Sequence, residues 1–295
     1  MAEDVPRDKL LHISDLHFWK VVMNPLRLLN KRFLGNLNVM LRRRHELRTE
    51  RAAEFAEAIA AAGVGTVFAG GDLSSTATDE ELGMAAAFLA SLRDKGLRVF
   101  AIPGNHDVYT GEAVRKRRFE QHFGDFLPPE GVPSMTTLEN GTPLISVPTV
   151  CPNRLSSKGR ILPEEVAAVG RLVEEAPREP ILVAAHYPIL NDTEAYHTSG
   201  GRRLRNAVLL HECLGESGRR ILYLAGHVHR FSYTQDKRYE HLRHLTTSSL
   251  FMHRQGTKHQ GAFTEIHATD EDVAVYQHWY TDAWNRKPRS PRPEP

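Results

Sequence analysis

The sequence is poor in the features that mark several protein classes. Its 295 residues hold two cysteines, Cys151 and Cys213, far apart and in no C-x-x-C pattern. Neither a zinc knuckle nor a disulfide framework follows from that spacing. The net charge is only +2, so no global basic field argues for a nucleic-acid partner. No run of about 18 apolar residues occurs, so no membrane-spanning helix is expected. The start, MAEDVPRDKLLHIS, has early acids and no apolar h-region. A secretory leader is therefore not expected, and the expected compartment is the cytoplasm. What remains is a chain 41% hydrophobic and 25% charged, an ordinary composition for a globular protein with a substantial core.

Short apolar runs alternate with longer amphipathic ones. Runs at 9–14, 64–70, 97–102, 143–147, 180–185 and 220–225 are rich in Leu, Ile and Val and bounded by Gly, Pro or Asp. These properties predict buried strands. Ala- and Glu-rich stretches at 47–63, 79–96, 163–176 and 202–218 predict helices between them; Gly63 is a C-terminal stop and Pro163 a first helical residue. Strands alternating with helices imply βαβ units. Beyond residue 230, four short strand-like runs follow in an antiparallel style. The Pro-rich, charged tail 285–295 reads as disordered. The expected organisation is one domain over 1–284, a basic amphipathic insert at 18–50, and that tail.

Ligands of α/β sheets bind beyond the carboxyl ends of the strands. Five of the six strands end on chemistry-bearing residues: Asp15-Leu16-His17, Gly71-Asp72, Gly104-Asn105-His106-Asp107, His186, and Gly226-His227-Val228-His229. The donors are oxygen and imidazole with no thiolate, a set suited to Mn, Fe or Zn. Seven candidate ligands, Asp15, His17, Asp72, Asn105, His186, His227 and His229, exceed one tetrahedral ion and suit two ions sharing a bridge. Two carboxylates against two divalent cations leave an excess near +2, which attracts phosphate. Water between such ions loses a proton near neutral pH and becomes a nucleophile. A lone D-x-H is a weak signal; the five pieces in order, each behind a strand, are a strong one. For scattered histidines such as His12, His45, His122 and His211, surface or packing roles are the plain reading.

This ordered set, spread over residues 15–229, resembles the calcineurin-like metallophosphoesterase superfamily. The resemblance implies an α/β fold, a four-layer αββα sandwich of two mixed β-sheets flanked by helices, with a binuclear metal centre at one edge. It implies Asp15, His17 and His229 on a first metal, Asn105, His186 and His227 on a second, and Asp72 bridging them. It implies that His106 contacts phosphate and helps the leaving group depart. Asp107, beside it, is expected to orient His106 and stabilise its charged form. The activity implied is hydrolysis of a phosphoester or phosphoanhydride. Protein phosphatases of the superfamily continue the second motif as GDxVDRG, whereas this chain reads GDLSSTA, which argues against that activity. The compact GNHD and GHVH arrangement looks more like bacterial cyclic-nucleotide phosphodiesterases and UDP-diacylglucosamine hydrolases. A non-catalytic scaffold would be expected to lack a ligand or His106, and neither is missing. A nuclease would want a basic, aromatic groove.

Positive charge is concentrated in one place. Residues 20–51 hold nine Lys or Arg and two Glu, a net +7, which leaves the rest of the chain at −5. Leu26, Leu29, Phe33, Leu37 and Met40 recur there at helical spacing. One reading is a packed helix pair with solvated arginines. The sharper one is a cap near the site that holds a lipid phosphate or rests on an anionic membrane, peripheral to its inner face. His197 and Arg202 lie in a Gly-rich stretch before a predicted helix and are candidate substrate-binding residues.

Overall fold

The computed structural model describes residues 9–20, 46–153, 156–253 and 258–295. The helical pattern Leu26–Met40, and with it most of the basic segment, lies outside the described residues. Two large mixed sheets carry the fold. The first has six strands in the order Trp284–Arg289, Val273–Tyr280, Ala262–Ala268, Lys9–Ile13, Thr66–Ala69, Arg98–Ala101. The second has seven, in the order Arg292–Pro293, Ser232–Gln235, Leu242–Thr246, Ile221–Ala225, Ile181–Ala184, Pro143–Ser146, Ser134–Thr137.

Each predicted strand is present, shortened at its ends. Alternation decides which side each residue serves. Leu10, Phe68, Phe100, Leu182, Leu222, Leu245 and Ile266 fill the layer between the sheets. Leu11, Ile13, Val67 and Ala69 face outward and pack with Phe55, Ile59, Phe88 and Leu89 of the helices Ala52–Ala61 and Asp79–Asp94. Ile181, Val183, Ile221 and Tyr223 pack likewise with Val169, Val173, Leu210 and Leu214 of the helices Pro163–Glu175 and Ala207–Glu216. Each fully buried Leu, Ile, Val or Phe contributes about 1.5–3 kcal/mol, so this double-sided burial is what makes the short strands hold. The result is the expected sandwich of two mixed sheets with helices outside.

Local signals set the helix starts. Thr78 accepts a hydrogen bond from the Glu81 N–H, and Glu81 reaches back to the Thr78 N–H, a capping box. The helix expected from 202 begins instead at Ala207. Leu204–Arg205 pairs in parallel with Gly159–Arg160, so sheet pairing claims the backbone there before a helix can.

The tail expected to be disordered is built into both sheets. Trp284–Arg289 pairs antiparallel with Val273–Tyr280, and Arg292–Pro293 pairs with Thr234–Gln235. Side chains explain why composition misled. The Trp284 ring lies 5.0 Å from Phe55 and 5.1 Å from Phe263. Arg286 donates to buried Glu265 at 2.8 Å and covers the Tyr276 ring at 3.6 Å. Pro288 stands on an edge strand, where a missing N–H costs no ladder bond. Position 284 is therefore where a strand begins and not where a domain ends.

Parallel pairing aligns the strands that matter. Lys9–Ile13, Thr66–Ala69 and Arg98–Ala101 run in one direction, as do Pro143–Ser146, Ile181–Ala184, Ile221–Ala225 and Leu242–Thr246. Their carboxyl ends deliver the five motif loops to one edge.

Candidate metal centre

The five loops turn sharply where they leave the sheets. Asp15, His17, Asp72, His227 and His229 all have φ between 49° and 67°. Non-glycine residues rarely adopt this left-handed region, and such strain concentrates at functional sites. Glycine permits the packing around them. A Cβ at Gly104 would lie 2.1 Å from the Asp72 backbone nitrogen, and one at Gly226 would lie 2.0 Å from Ser14 Oγ. The motif glycines thus let two loops touch backbone to side chain, which no larger residue allows.

Two clusters form, and Asp72 belongs to both. Asp15, His17, Asp72 and His229 place their donor atoms within 4.8 Å of one another, as do Asp72, His186 and His227. In the first, His229 Nε2 lies 3.2 Å from Asp15 Oδ1 and 3.0 Å from His17 Nε2. Asp72 Oδ2 is 3.8 Å from His17 Nε2, while its Oδ1 is 3.4 Å from His186 Nε2. Asn105 Oδ1 approaches His186 Nε2 at 3.2 Å and so joins the second cluster.

Ring nitrogens are sorted by their outer partners. His186 Nδ1 meets the Gly70 carbonyl at 2.8 Å, which assigns the proton there and presents Nε2 inward. His227 Nε2 meets the Arg202 carbonyl at 3.0 Å, which presents Nδ1 inward. That Nδ1, and Asp15 Oδ1, are buried polar atoms without a hydrogen-bond partner. Orphaned buried donors and acceptors are costly unless something fills the gap between them. Two vacant lone pairs aimed into hard-donor clusters fit divalent cations.

Electrostatics agree with that fit. Burial would raise the Asp72 pKa, but His186, His106 and His17 hold it well below the ordinary carboxylate range. Burial likewise opposes ionisation of Asp15, and His229 outweighs it. Burial pulls His186 down, yet the Asp72 carboxylate dominates and holds it at about 9, so a cation binding at Nε2 would displace a proton there. Burial pushes His227 down to about 3, so it stays neutral, as a metal ligand must.

His106 sits at the rim of the first cluster. Its N–H donates to Asp72 Oδ1 at 2.7 Å, and its ring stands edge-on to His17 at 4.9 Å. The Ser75 carbonyl accepts from Nδ1 at 2.7 Å, and Tyr109 stacks on the ring at 5.3 Å. Ser75 and Tyr109 thus do the orienting expected of Asp107. Asp107 points elsewhere: Oδ2 accepts from the Leu73 and Gly104 N–H groups, and Oδ1 from the Ser74 N–H and hydroxyl. It staples the loop after Thr66–Ala69 to the loop after Arg98–Ala101. The reason is geometric, since a residue following His106 in a tight turn faces away from it.

The two candidate substrate residues divide as well. The His197 side chain is exposed and paired with Asp192, and among the described residues it is a member of neither cluster. Arg202 reaches the site through its carbonyl, which meets His227 Nε2. Thr149 was not singled out, yet its hydroxyl accepts the N–H groups of His186 and Tyr187 at 3.3 Å. It follows the one strand that had no motif residue, and no local signal marks it. Ser75 stands in GDLSS just after Asp72, and that nearness is its signal in the sequence.

The calcineurin-like phosphoesterase family pattern matches residues 8–231. No curated protein matches the chain significantly. Among solved structures, the chain is similar to a dimetal phosphatase from Danio rerio, with TM-score 0.60, 12% identity, and 97% of this chain and 100% of that one covered. It is also similar to a purple acid phosphatase from yellow lupin (Lupinus luteus) seeds, with TM-score 0.56, 11% identity, and 96% and 54% covered. A third likeness is a 5'-nucleotidase from Candida albicans, with TM-score 0.52, 14% identity, and 92% and 52% covered. The chain spans about half the length of the last two. At these identities the likeness is one of fold.

Proposed function

The chain belongs to the calcineurin-like phosphoesterase family, and from that premise we propose that it hydrolyses a phosphoester or phosphoanhydride bond at a two-metal centre held by Asp15, His17, Asp72, Asn105, His186, His227 and His229. The observation that carries this reading is Asp72, whose two oxygens face two different clusters. Mn, Fe or Zn ions bound there would lower the pKa of water and neutralise charge on the phosphoryl oxygens. The protein's own part is positioning and proton transfer. The Ser75 carbonyl holds the Nδ1 proton of His106, so Nε2 is the nitrogen that can take up a second proton and, from the imidazolium, give it to the departing oxygen. Tyr109 holds the ring plane during that transfer. Asp107 keeps the two loops that carry Asp72 and Asn105 in register.

For the substrate, the reading is a nucleotide-linked lipid or other lipid phosphate met near a membrane. The net +7 of residues 20–51 supports it, because a basic, partly apolar segment that follows His17 in sequence suits an anionic lipid. Among the described residues no helix is long and apolar enough to cross a membrane, so such contact would be peripheral. A cyclic nucleotide is the alternative, supported by the compact GNHD and GHVH motifs. The test is a hydrolysis panel on Mn-loaded protein: bis-p-nitrophenyl phosphate, cyclic AMP and a UDP-diacylglucosamine-type lipid, with and without anionic vesicles. Preference for the lipid is expected, with Asp72→Ala losing bound metal and nearly all turnover. An active Asp72→Ala enzyme would refute the bridge, and preference for cyclic AMP would refute the lipid reading.

A further inference from the structure

Beside the first cluster, where the two sheets meet their edge strands, lies a cavity of about 310 Å³. Its lining includes the metal-cluster residue His229, with Phe231, Ser249, Gln277, Arg289 and Arg292. Two of these, Arg289 and Arg292, come from the tail that composition marked as disordered. A cavity that shares His229 with the cluster is placed to receive the part of a substrate beyond its reacting phosphorus.

The two arginines differ in whether a carboxylate faces them. Arg292 is paired with the Glu194 carboxylate at 2.5 Å. Arg289 donates from Nε and Nη2 to the neutral Gln277 Oε1 at 3.1 and 2.6 Å. Among the described residues no carboxylate pairs with it. Its guanidinium also stands over the Phe231 ring at 5.5 Å and the Trp279 ring at 5.9 Å. Gln277 and the rings fix the fork without neutralising it, and a guanidinium has five N–H donors, so donors remain for a ligand. An edge-strand arginine serving only solubility has no need of this restraint. A pre-oriented, uncompensated guanidinium is the preferred protein group for a phosphate oxygen pair.

We infer that this cavity is the leaving-group subsite and that Arg289 binds a leaving group that is itself an anion. The substrate class is then a P–O–P linkage and not an ester of a neutral alcohol. The inference rests on the phosphohydrolase reading above. In the reaction, the water oxygen forms a bond to one phosphorus, and the bond from that phosphorus to the bridging oxygen breaks. The bridging oxygen leaves on the second phosphate with the electron pair. One water proton stays on the first phosphate and the other ends on the second. Arg289 stabilises the charge that grows on the second.

The experiment compares UDP-glucose, which has a P–O–P bond, with bis-p-nitrophenyl phosphate, whose leaving group is p-nitrophenol, on the full metal-loaded chain. Arg289→Met is expected to lower the ratio of kcat/KM between the two by about tenfold or more, as loss of a charge-assisted hydrogen bond implies. The loss should be shared between KM, because that phosphate is already an anion in the substrate, and kcat, because its charge grows in the transition state. Calorimetric binding of methylenediphosphonate should weaken by a similar factor, and Arg289→Lys should recover part of both. If Arg289→Met does not fold, Arg289→Lys against the parent protein is expected to shift the same ratio by a smaller factor. A folded Arg289→Met protein with ratio and affinity within about twofold of the parent overturns the subsite. Parent protein that cleaves bis-p-nitrophenyl phosphate but not UDP-glucose overturns it too, and leaves the phosphohydrolase reading standing. Cleavage of neither overturns both.

Discussion

Replacing Asp107 by asparagine separates a loop staple from a residue that tunes His106. The carboxylate is buried and accepts four hydrogen bonds, from Leu73 N–H, Ser74 N–H, Ser74 hydroxyl and Gly104 N–H. Burial and the Asp72 charge push its pKa up to about 7, yet a ring of donors calls for the ionised form. Cations beside Asp72 would relieve the repulsion that raises it. Asparagine has the same shape but must turn its NH2 group toward one pair of donors. Two charge-assisted bonds are lost and two N–H groups face each other. At about 1.5–3 kcal/mol for each bond to a charged group, the cost is about 3–6 kcal/mol. Against a whole stability of about 5–15 kcal/mol, that loss is large. With a urea slope of about 3 kcal/mol per M for a chain of this size, the midpoint should fall by about 1–2 M. Metal affinity should weaken as well, because the loops bearing Asp72 and Asn105 lose their registration. Urea titration and metal titration of the same preparation read both. An Asp107→Asn protein with unchanged stability and metal affinity, but a displaced pH profile of kcat, would refute the staple and restore the tuning role.

Two further outcomes follow from the site and its surroundings. His106→Gln should keep two bound metals and lower kcat by about 10²–10⁴, the range for a lost general acid, on substrates with poor leaving groups; equal kcat, or loss of a metal, would contradict the role given to Nε2. His12, buried between the sheets with both ring nitrogens unpartnered, has its pKa pushed down by burial to about 3 from the usual 6.5. The unfolded chain therefore takes up this proton and the folded one does not, so stability is full above about pH 6.5 and falls as pH drops toward 3, by about 1.4 kcal/mol per pH unit. In metal-free protein, His12→Leu should remove that slope, and urea midpoints that run parallel from pH 7 to 5 in both proteins would show the burial argument to be wrong.

Much of the site was legible because its information is local. D-x-H, GD, GNHD and GHVH each occupy one loop, and a strand ending in such a loop is visible in the apolar run before it. The alternation Leu10, Leu11, His12, Ile13 even assigns faces, since side chains two apart share one side of a sheet. Residue type then limits the chemistry: hard oxygen and imidazole donors, no thiolate, and two carboxylates for the charge of two cations.

What sequence could not decide depends on groups far apart in the chain. Asp107 follows His106 by one residue, and only the meeting of its loop with Leu73 and Ser74 turns it into a staple. His227 owes its inward Nδ1 to the carbonyl of Arg202, in a segment whose side chains looked more important than its backbone. The tail is polar and rich in proline, so composition alone argues for disorder. Its ordering comes from partners such as Phe55, Phe263, Glu265 and Tyr276, each brought there by another strand. The sequence by itself determined the donor set and the loops that bear it, because a motif is written in consecutive residues. The tertiary structure alone decided which nitrogen faces inward, which carboxylate binds backbone, and which arginines line the cavity, because those are set by contacts between segments that the linear order keeps apart.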